Sequence, residues 1–271
     1  MKIDLLAPIP NLDGQRKRKL DYRDHPIDTN SPFYTEPLVS IKDYGLGGVS
    51  YYSRENNVTG DPVPGVSPHI FVRKSVAKKL AATNEFLRQA TELKEIFGGT
   101  LELYIGDGFR SPELIALIHD ELLPNLLKRQ HPNWSEEQIK ERRKHVVAYP
   151  EWSKTSMPPH FTGGAVDLNL KVVGGERLDV GRGPAEFGKD AIFTDYLEKH
   201  ALEDKKFEKA LYARRVLYNI LTSESVGGVA MANNPTEEWH YSLYDQMWAK
   251  LCNKPAAFYG VPEDLKTLEQ H

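Results

Sequence analysis

Between Ser75 and Phe97 apolar residues recur every three or four positions, through Val76, Leu80, Leu87 and Leu93 with Thr83 and Ala90 between them. That spacing predicts one amphipathic helix. Gly98 and Gly99 end it, and Thr100 to Ile105 follows as a strand whose chain leaves through Gly106-Asp-Gly-Phe-Arg110. Ser111 and Pro112 are placed as cap and first residue of a second helix through Leu114, Leu117, Ile118 and Leu122. Ser135 and Gln138 have the spacing of a capping box and open a short charged helix. Ala165-Val-Asp-Leu-Asn-Leu170 alternates like a half-buried strand, and the helical period returns from Phe207 to Leu221. Gly227 to Met231 and Trp239 to Leu243 read as short strands, and Gly45-Leu-Gly-Gly48 as a turn. Helices and strands mix without regular βαβ alternation, so the predicted class is α+β, with a mostly antiparallel central sheet and flanking helices.

Composition narrows the functional classes. At 271 residues and 40% hydrophobic content the chain can form one large domain, and no repeat or linker divides it. The expectation is a single domain over residues 1–271 with an N-terminal arm over about residues 1–40. A net charge of -3 and a pI near 6.3 leave no electrostatic footprint for nucleic acid or an anionic membrane, so a small neutral or zwitterionic substrate suits better. The basic run Arg16-Lys-Arg-Lys19 could touch phosphates but reads as a solvated arm. The lone Cys252 cannot form an internal disulfide, the first ten residues are too short an apolar run for a secretory leader, and no later run has the ~18 apolar residues of a membrane span. A cytoplasmic enzyme is expected.

The candidate chemistry lies in two separated segments, His160-Phe-Thr-Gly-Gly-Ala-Val-Asp167 and Glu237-Glu-Trp-His240. His160, Asp167 and His240 form an N,N,O set that suits a catalytic zinc, because three protein ligands leave the fourth tetrahedral position to water. A carboxylate three residues before the last histidine can serve as a base. The alternative is that both imidazoles are ordinary satisfied histidines among the nine in the chain. Asp167 lies between Val166 and Leu168 and, if buried, needs a positive partner, which a metal supplies. The chain has no GxSxG elbow, HExxH helix, CxxC pair, Walker loop or GxGxxG fingerprint.

The two segments resemble the zinc D,D-peptidase superfamily, whose approximate pattern is HxxxGxAxD followed by ExWH and which includes the Hedgehog signalling domain. The likeness is greatest to its D-alanyl-D-alanine dipeptidase branch of the vancomycin-resistance type. Asn57-Val-Thr-Gly60 with Pro62-Val63 is similar to that branch's NFTGxPV segment, and Asp107-Gly-Phe-Arg110 to its DGYR segment. All occur in the same order between about Tyr51 and Tyr241.

The resemblance implies one zinc per chain on His160, Asp167 and His240, with Glu237 rather than Glu238 as the general base, and Arg110 as a donor to the developing oxyanion. Trp239 is expected to pack behind the ligand, and Glu238 to be an exposed carboxylate. Two departures stand out. Pro158-Pro159 precedes His160 where the family carries a serine two residues before the first histidine. The family's MGxxFD loop, whose carboxylate recognises the substrate amine, is matched only by Val180-Gly-Arg-Gly-Pro-Ala-Glu-Phe187, which leaves Glu186 as the nearest candidate. The implied activity is hydrolysis of D-Ala-D-Ala or a similar small dipeptide. The competing readings are a carboxypeptidase or endopeptidase on longer cell-wall peptides, and a metal-binding module without catalysis.

Overall fold

The computed structural model describes residues 3–53, 63, 66–181, 190–200 and 205–263. In chain order its elements are α1 (Asp13–Lys19), β1 (Leu38–Ser40), β2 (Gly47–Gly48), β3 (Phe71–Arg73), α2 (Lys74–Gln89), α3 (Thr91–Phe97), β4 (Leu101–Asp107), α4 (Pro112–Leu117), α5 (Leu123–Gln130) and α6 (Glu136–Val146). There follow α7 (Pro159–Thr162), β5 (Ala165–Val172), α8 (Tyr196–His200), α9 (Glu208–Leu221), β6 (Ala232–Asn233), β7 (His240–Ser242) and α10 (Gln246–Leu251). The class is α+β. Among the described residues a five-stranded sheet runs β2-β4-β5-β7-β6, and β1 pairs with β3 in a separate ribbon.

The sheet is mixed, which corrects the expectation of a mostly antiparallel one in part. The β4–β5, β5–β7 and β6–β7 ladders are antiparallel, whereas β2 lies parallel to β4. The parallel edge comes from the glycine-rich stretch read as a turn. Gly48 approaches β4 so closely that a Cβ there would stand 1.9 Å from the Ile105 carbonyl oxygen, and its φ of 155° disfavours any other residue.

Other elements fall near their expected places, with physical reasons for the exceptions. The helix expected over 75–97 breaks at Ala90, whose ψ of 83° starts α3 on a new axis. In one straight helix Leu93 would sit about 120° around from Leu87, and the break lets both enter the main core. The second helix holds a π turn at Ile118–Leu122, one residue short of Pro124, which has no N–H to continue an α-helical ladder. Ser135 and Gln138 form the expected capping box. The strand expected at 227–231 begins instead at Ala232, because Gly227 and Gly228 take φ of 71° and 75°, outside the extended region.

The main core packs α2, α3 and α9 against β4 and β5 through residues such as Leu80, Leu103, Leu168 and Leu217. Asp107, Asp167 and His240 stand side by side on β4, β5 and β7, since Asp167 is the register partner of both. A register shift between Ile105 and Asp107 re-aims the end of β4 at that point, a common use of irregular pairing beside functional sites.

The basic run at residues 16–19 is not a solvated arm. Leu12 is buried, its N–H donates to Asp195 Oδ2 at 3.0 Å, and Arg16 Nη1 donates to Asp195 Oδ1 at 2.8 Å. Helix α1 is therefore docked on the body of the protein, with Lys17 and Arg18 exposed and Lys19 half-buried.

Candidate metal and hydrolytic site

His160 enters from α7, where Pro159 occupies the first turn and the left-handed Gly163 ends the helix. Its Nδ1 donates to the Gly108 carbonyl at 2.7 Å, so Nε2 carries the free lone pair. His240, on β7, has its Nε2 3.3 Å from Ser242 Oγ, and Nδ1 is the nitrogen that faces inward. The Gly108 carbonyl can only accept and so fixes the His160 tautomer a ligand needs, and Ser242 Oγ is placed to accept from His240 Nε2 in the same way.

The three inward atoms form a nearly equilateral triangle. His160 Nε2 to His240 Nδ1 is 3.2 Å, His160 Nε2 to Asp167 Oδ1 is 3.3 Å, and His240 Nδ1 to Asp167 Oδ1 is 3.2 Å. Zinc bonds of ~2.0–2.1 Å imply a tetrahedral edge of roughly 3.3–3.4 Å, so this triangle has the size of one tetrahedral face. Asp167 Oδ1 is buried and accepts no hydrogen bond among the described residues. Three buried lone pairs facing one another repel unless a cation joins them. The donor set therefore fits a metal, and these three residues are buried together as a group able to hold one.

Asp167 stays ionised despite its burial. Desolvation pushes its pKa up, but the charge and hydrogen bonds of His160 and His240 when their inward nitrogens are protonated, followed by the charge of Arg110, hold it well below the usual carboxylate range. Arg110 donates Nη2 to Asp167 Oδ2 at 2.7 Å and Nε to Asp107 Oδ2. Burial works against the guanidinium charge, and Asp107, Tyr52 and Asp167 more than offset it. Arg110, expected as an oxyanion donor, also bridges two carboxylates, leaving Nη1 as the nitrogen without a hydrogen bond among the described residues. By occupying Oδ2, it aims Oδ1 at the imidazoles.

Glu237 and Glu238 are both buried, contrary to the expectation that Glu238 is exposed. Only Glu237 lines the cavity in front of the triangle. Its Oε2 lies 3.7 Å from His240 Nδ1 and accepts from Asn234 Nδ2 at 2.7 Å. Burial pushes its pKa up, opposed by Lys19 and His240. The bonds then continue outward, since Asn234 Oδ1 accepts from Thr236 Oγ1 at 3.0 Å and Thr236 Oγ1 accepts from Lys19 Nζ at 2.7 Å.

Trp239, Pro158 and Pro159 line the same cavity of about 250 Å³, below the ~300–1,000 Å³ typical of pockets for drug-sized ligands. Glu186 and the segment Asn57 to Pro62 lie outside the described residues. Residues not foreseen from sequence are Asn234, Asp107, Ser242 and Lys19. For Lys19 a signal existed, because Leu12, Arg16 and Lys19 share the i, i+4, i+7 face of a helix.

A D-alanyl-D-alanine dipeptidase of Synechocystis sp. is 30% identical over 244 residues, covering 84% of this chain and 92% of that protein. The chain belongs to the D-alanyl-D-alanine dipeptidase family. As a member of that family it is a hydrolytic peptidase, and the resemblance seen in its motifs extends over most of its length. No family model matches the chain. A solved structure titled for the LdcB LD-carboxypeptidase and peptidoglycan recognition aligns with 93% of this chain and 92% of its own at 16% identity. Its TM-score of 0.32 is too low to bear on the fold. No helix among the described residues is long and apolar enough to cross a membrane.

Proposed function

We propose that the protein is a zinc dipeptidase that hydrolyses D-Ala-D-Ala or a closely similar small dipeptide. The observation that carries this reading is the triangle of His160 Nε2, His240 Nδ1 and Asp167 Oδ1, with Glu237 beside it in a small cavity. His160, Asp167 and His240 would hold one zinc ion, which when bound supplies a Lewis acid and an acidified water. Glu237 accepts a proton from the attacking water and returns it to the leaving amine, with Asn234 fixing its Oε2 throughout. A raised carboxylate pKa suits a group that must both take and release a proton near neutrality. Arg110 holds Asp167 in the ligand orientation and offers Nη1 to developing charge. The limited volume supports a dipeptide over a longer chain, and Glu186 is retained as the candidate reader of its free amine.

Elemental analysis and steady-state turnover test the reading. The purified protein should carry about one zinc per chain and release D-Ala from D-Ala-D-Ala, and His160→Ala and Asp167→Ala should lose both properties. Full zinc retention by both variants would remove the ligand assignment. A fully loaded protein inert toward D-Ala-D-Ala would remove the dipeptidase assignment.

A further inference from the structure

Among the described residues four lysine and arginine side chains line the cavity, and two of them are paired with carboxylates. Arg110 is bound to Asp107 and Asp167. Lys144 pairs with Glu141 at 2.7 Å. Arg177 is exposed and stands over the rings of Tyr51 and Tyr104, 5.8 and 5.1 Å from their centroids. Lys19 differs from Arg110 and Lys144 in having no carboxylate partner among the described residues, and from Arg177 in being half-buried and held by a hydrogen bond. It is half-buried, and among the described residues its ammonium donates to a single neutral oxygen, Thr236 Oγ1 at 2.7 Å, with no carboxylate in an ion pair.

An ammonium has three donors, and a desolvated one without an anion is costly. Burial pushes the Lys19 pKa down, and Glu237 opposes that shift from a distance. The position is nevertheless rigidly built. The Arg16–Asp195 pair and the Leu12 N–H bond anchor α1 on either side of a helical turn, and Thr236 fixes the ammonium itself. Because Thr236 precedes Glu237, the anchored cation stands next to the turn that carries the base.

We propose that Lys19 is a substrate-binding residue that receives the terminal carboxylate of the dipeptide, supplied to the cavity by the docked N-terminal helix. This rests on the dipeptidase reading and deepens it. A free dipeptide is a zwitterion, and its carboxylate lies a few bonds from the scissile nitrogen to which Glu237 returns a proton. Pro158 and Pro159, which line the cavity beside the first histidine, have no N–H or side-chain donor for that carboxylate. Lys19 supplies a donor and its charge, and the substrate carboxylate gives it the anionic partner it does not have among the described residues.

Calorimetric binding to the zinc-loaded Glu237→Gln protein tests the assignment without requiring turnover. The probes are D-Ala-D-Ala and its C-terminal amide, measured on that protein and on its combinations with Lys19→Met and Lys19→Arg. The acid should bind at least ~10-fold more tightly than the amide, as expected of one charge-assisted bond. Lys19→Met should bring the two within ~2-fold by weakening the acid alone, while Lys19→Arg should keep most of the preference. Unchanged amide binding shows that the variant site is intact. The proposal is overturned if acid and amide bind alike before the substitution, if Lys19→Met leaves the preference unchanged, or if it weakens both probes equally. Turnover by the unmodified protein is measured in parallel. A Lys19-dependent acid preference in a protein that does not cleave the dipeptide would overturn the dipeptidase reading while sustaining the carboxylate site.

Discussion

Replacing Arg110 by alanine separates two roles that the same residue could play. A pure oxyanion donor would cost ~2.7–4 kcal/mol in activation free energy with zinc binding untouched. The structure instead gives two of its nitrogens to Asp107 and Asp167, both buried and directly opposed across β4 and β5. Breaking a buried pair by removing one partner costs on the order of 3–5 kcal/mol, because the remaining charges are left uncompensated. For Asp167 part of that cost appears in metal binding. Freed from Nη2, the carboxylate can rotate Oδ1 out of the triangle, and losing such a supporting contact lowers metal affinity ~10–100-fold. The expected result for Arg110→Ala is therefore a ~10–100-fold rise in the zinc dissociation constant in a chelator competition, together with a lower melting temperature for the metal-free protein. A lysine ammonium is a point charge and cannot span both carboxylates as the planar guanidinium fork does, so Arg110→Lys should recover only part of the loss. Asp107→Asn, which removes the far anchor and leaves the Nη2 bond in place, should weaken zinc less than Arg110→Ala does. The reasoning is refuted if Arg110→Ala binds zinc as tightly as the parent, and kcat at saturating zinc then measures the oxyanion contribution by itself.

Three further outcomes are expected. Glu237→Gln should keep stoichiometric zinc while losing at least ~100-fold in kcat, whereas Glu238→Gln, away from the cavity wall, should leave kcat near the parent value; the reverse ranking in steady-state assays would move the base to Glu238. Free D-Ala-D-Ala should be cleaved at least ~10-fold better in kcat/KM than its N-acetyl form, and Glu186→Ala should narrow the gap; equal cleavage of both peptides by the parent would favour a carboxypeptidase. Asp245, which caps α10, is raised to about 6 by burial, so the folded state binds its proton more tightly than the unfolded one and stability falls as pH rises from ~3.8 through about 6. Denaturation of Asp245→Asn and the parent should show the variant gaining relative stability, by up to ~3 kcal/mol, between pH 4 and 7; a difference independent of pH would show that the carboxyl is not buried as a charge.

The set His160, Asp167 and His240 was legible in the sequence because metal-binding chemistry restricts residue type, and the pattern put Asp167 and His240 on strands whose pairing the structure supplies. The orienting roles of three neighbouring groups were not legible, for a different reason. Asp107, Ser242 and the Gly108 carbonyl act on atoms that do not touch the metal position, and their partners are fixed by strand register and by a backbone oxygen with no side-chain signature. Arg110 was visible, but its bridging role depends on the alignment of β4 with β5. Local pattern also failed where backbone demanded an exception, as at Ala90, where core packing overrode a continuous helical period, and at Gly227 and Gly228, whose φ values exclude a strand.

Lys19 shows the limit of reading charge from composition. Four consecutive basic residues in an otherwise balanced chain read as solvent-facing, and for Lys17 and Arg18 that is correct. A helix divides such a run by phase. Positions 16 and 19 fall with the buried Leu12 on one face, while 17 and 18 turn away from it. Whether the inward pair is merely anchored or also faces substrate then depends on what lies opposite. Arg16 meets the carboxylate of Asp195, whereas Lys19 meets the hydroxyl of Thr236, next to Glu237, and lines the cavity. On the proposed reading, a structural cation and a substrate-facing one in this helix differ by about one turn along its axis and by the identity of one acceptor.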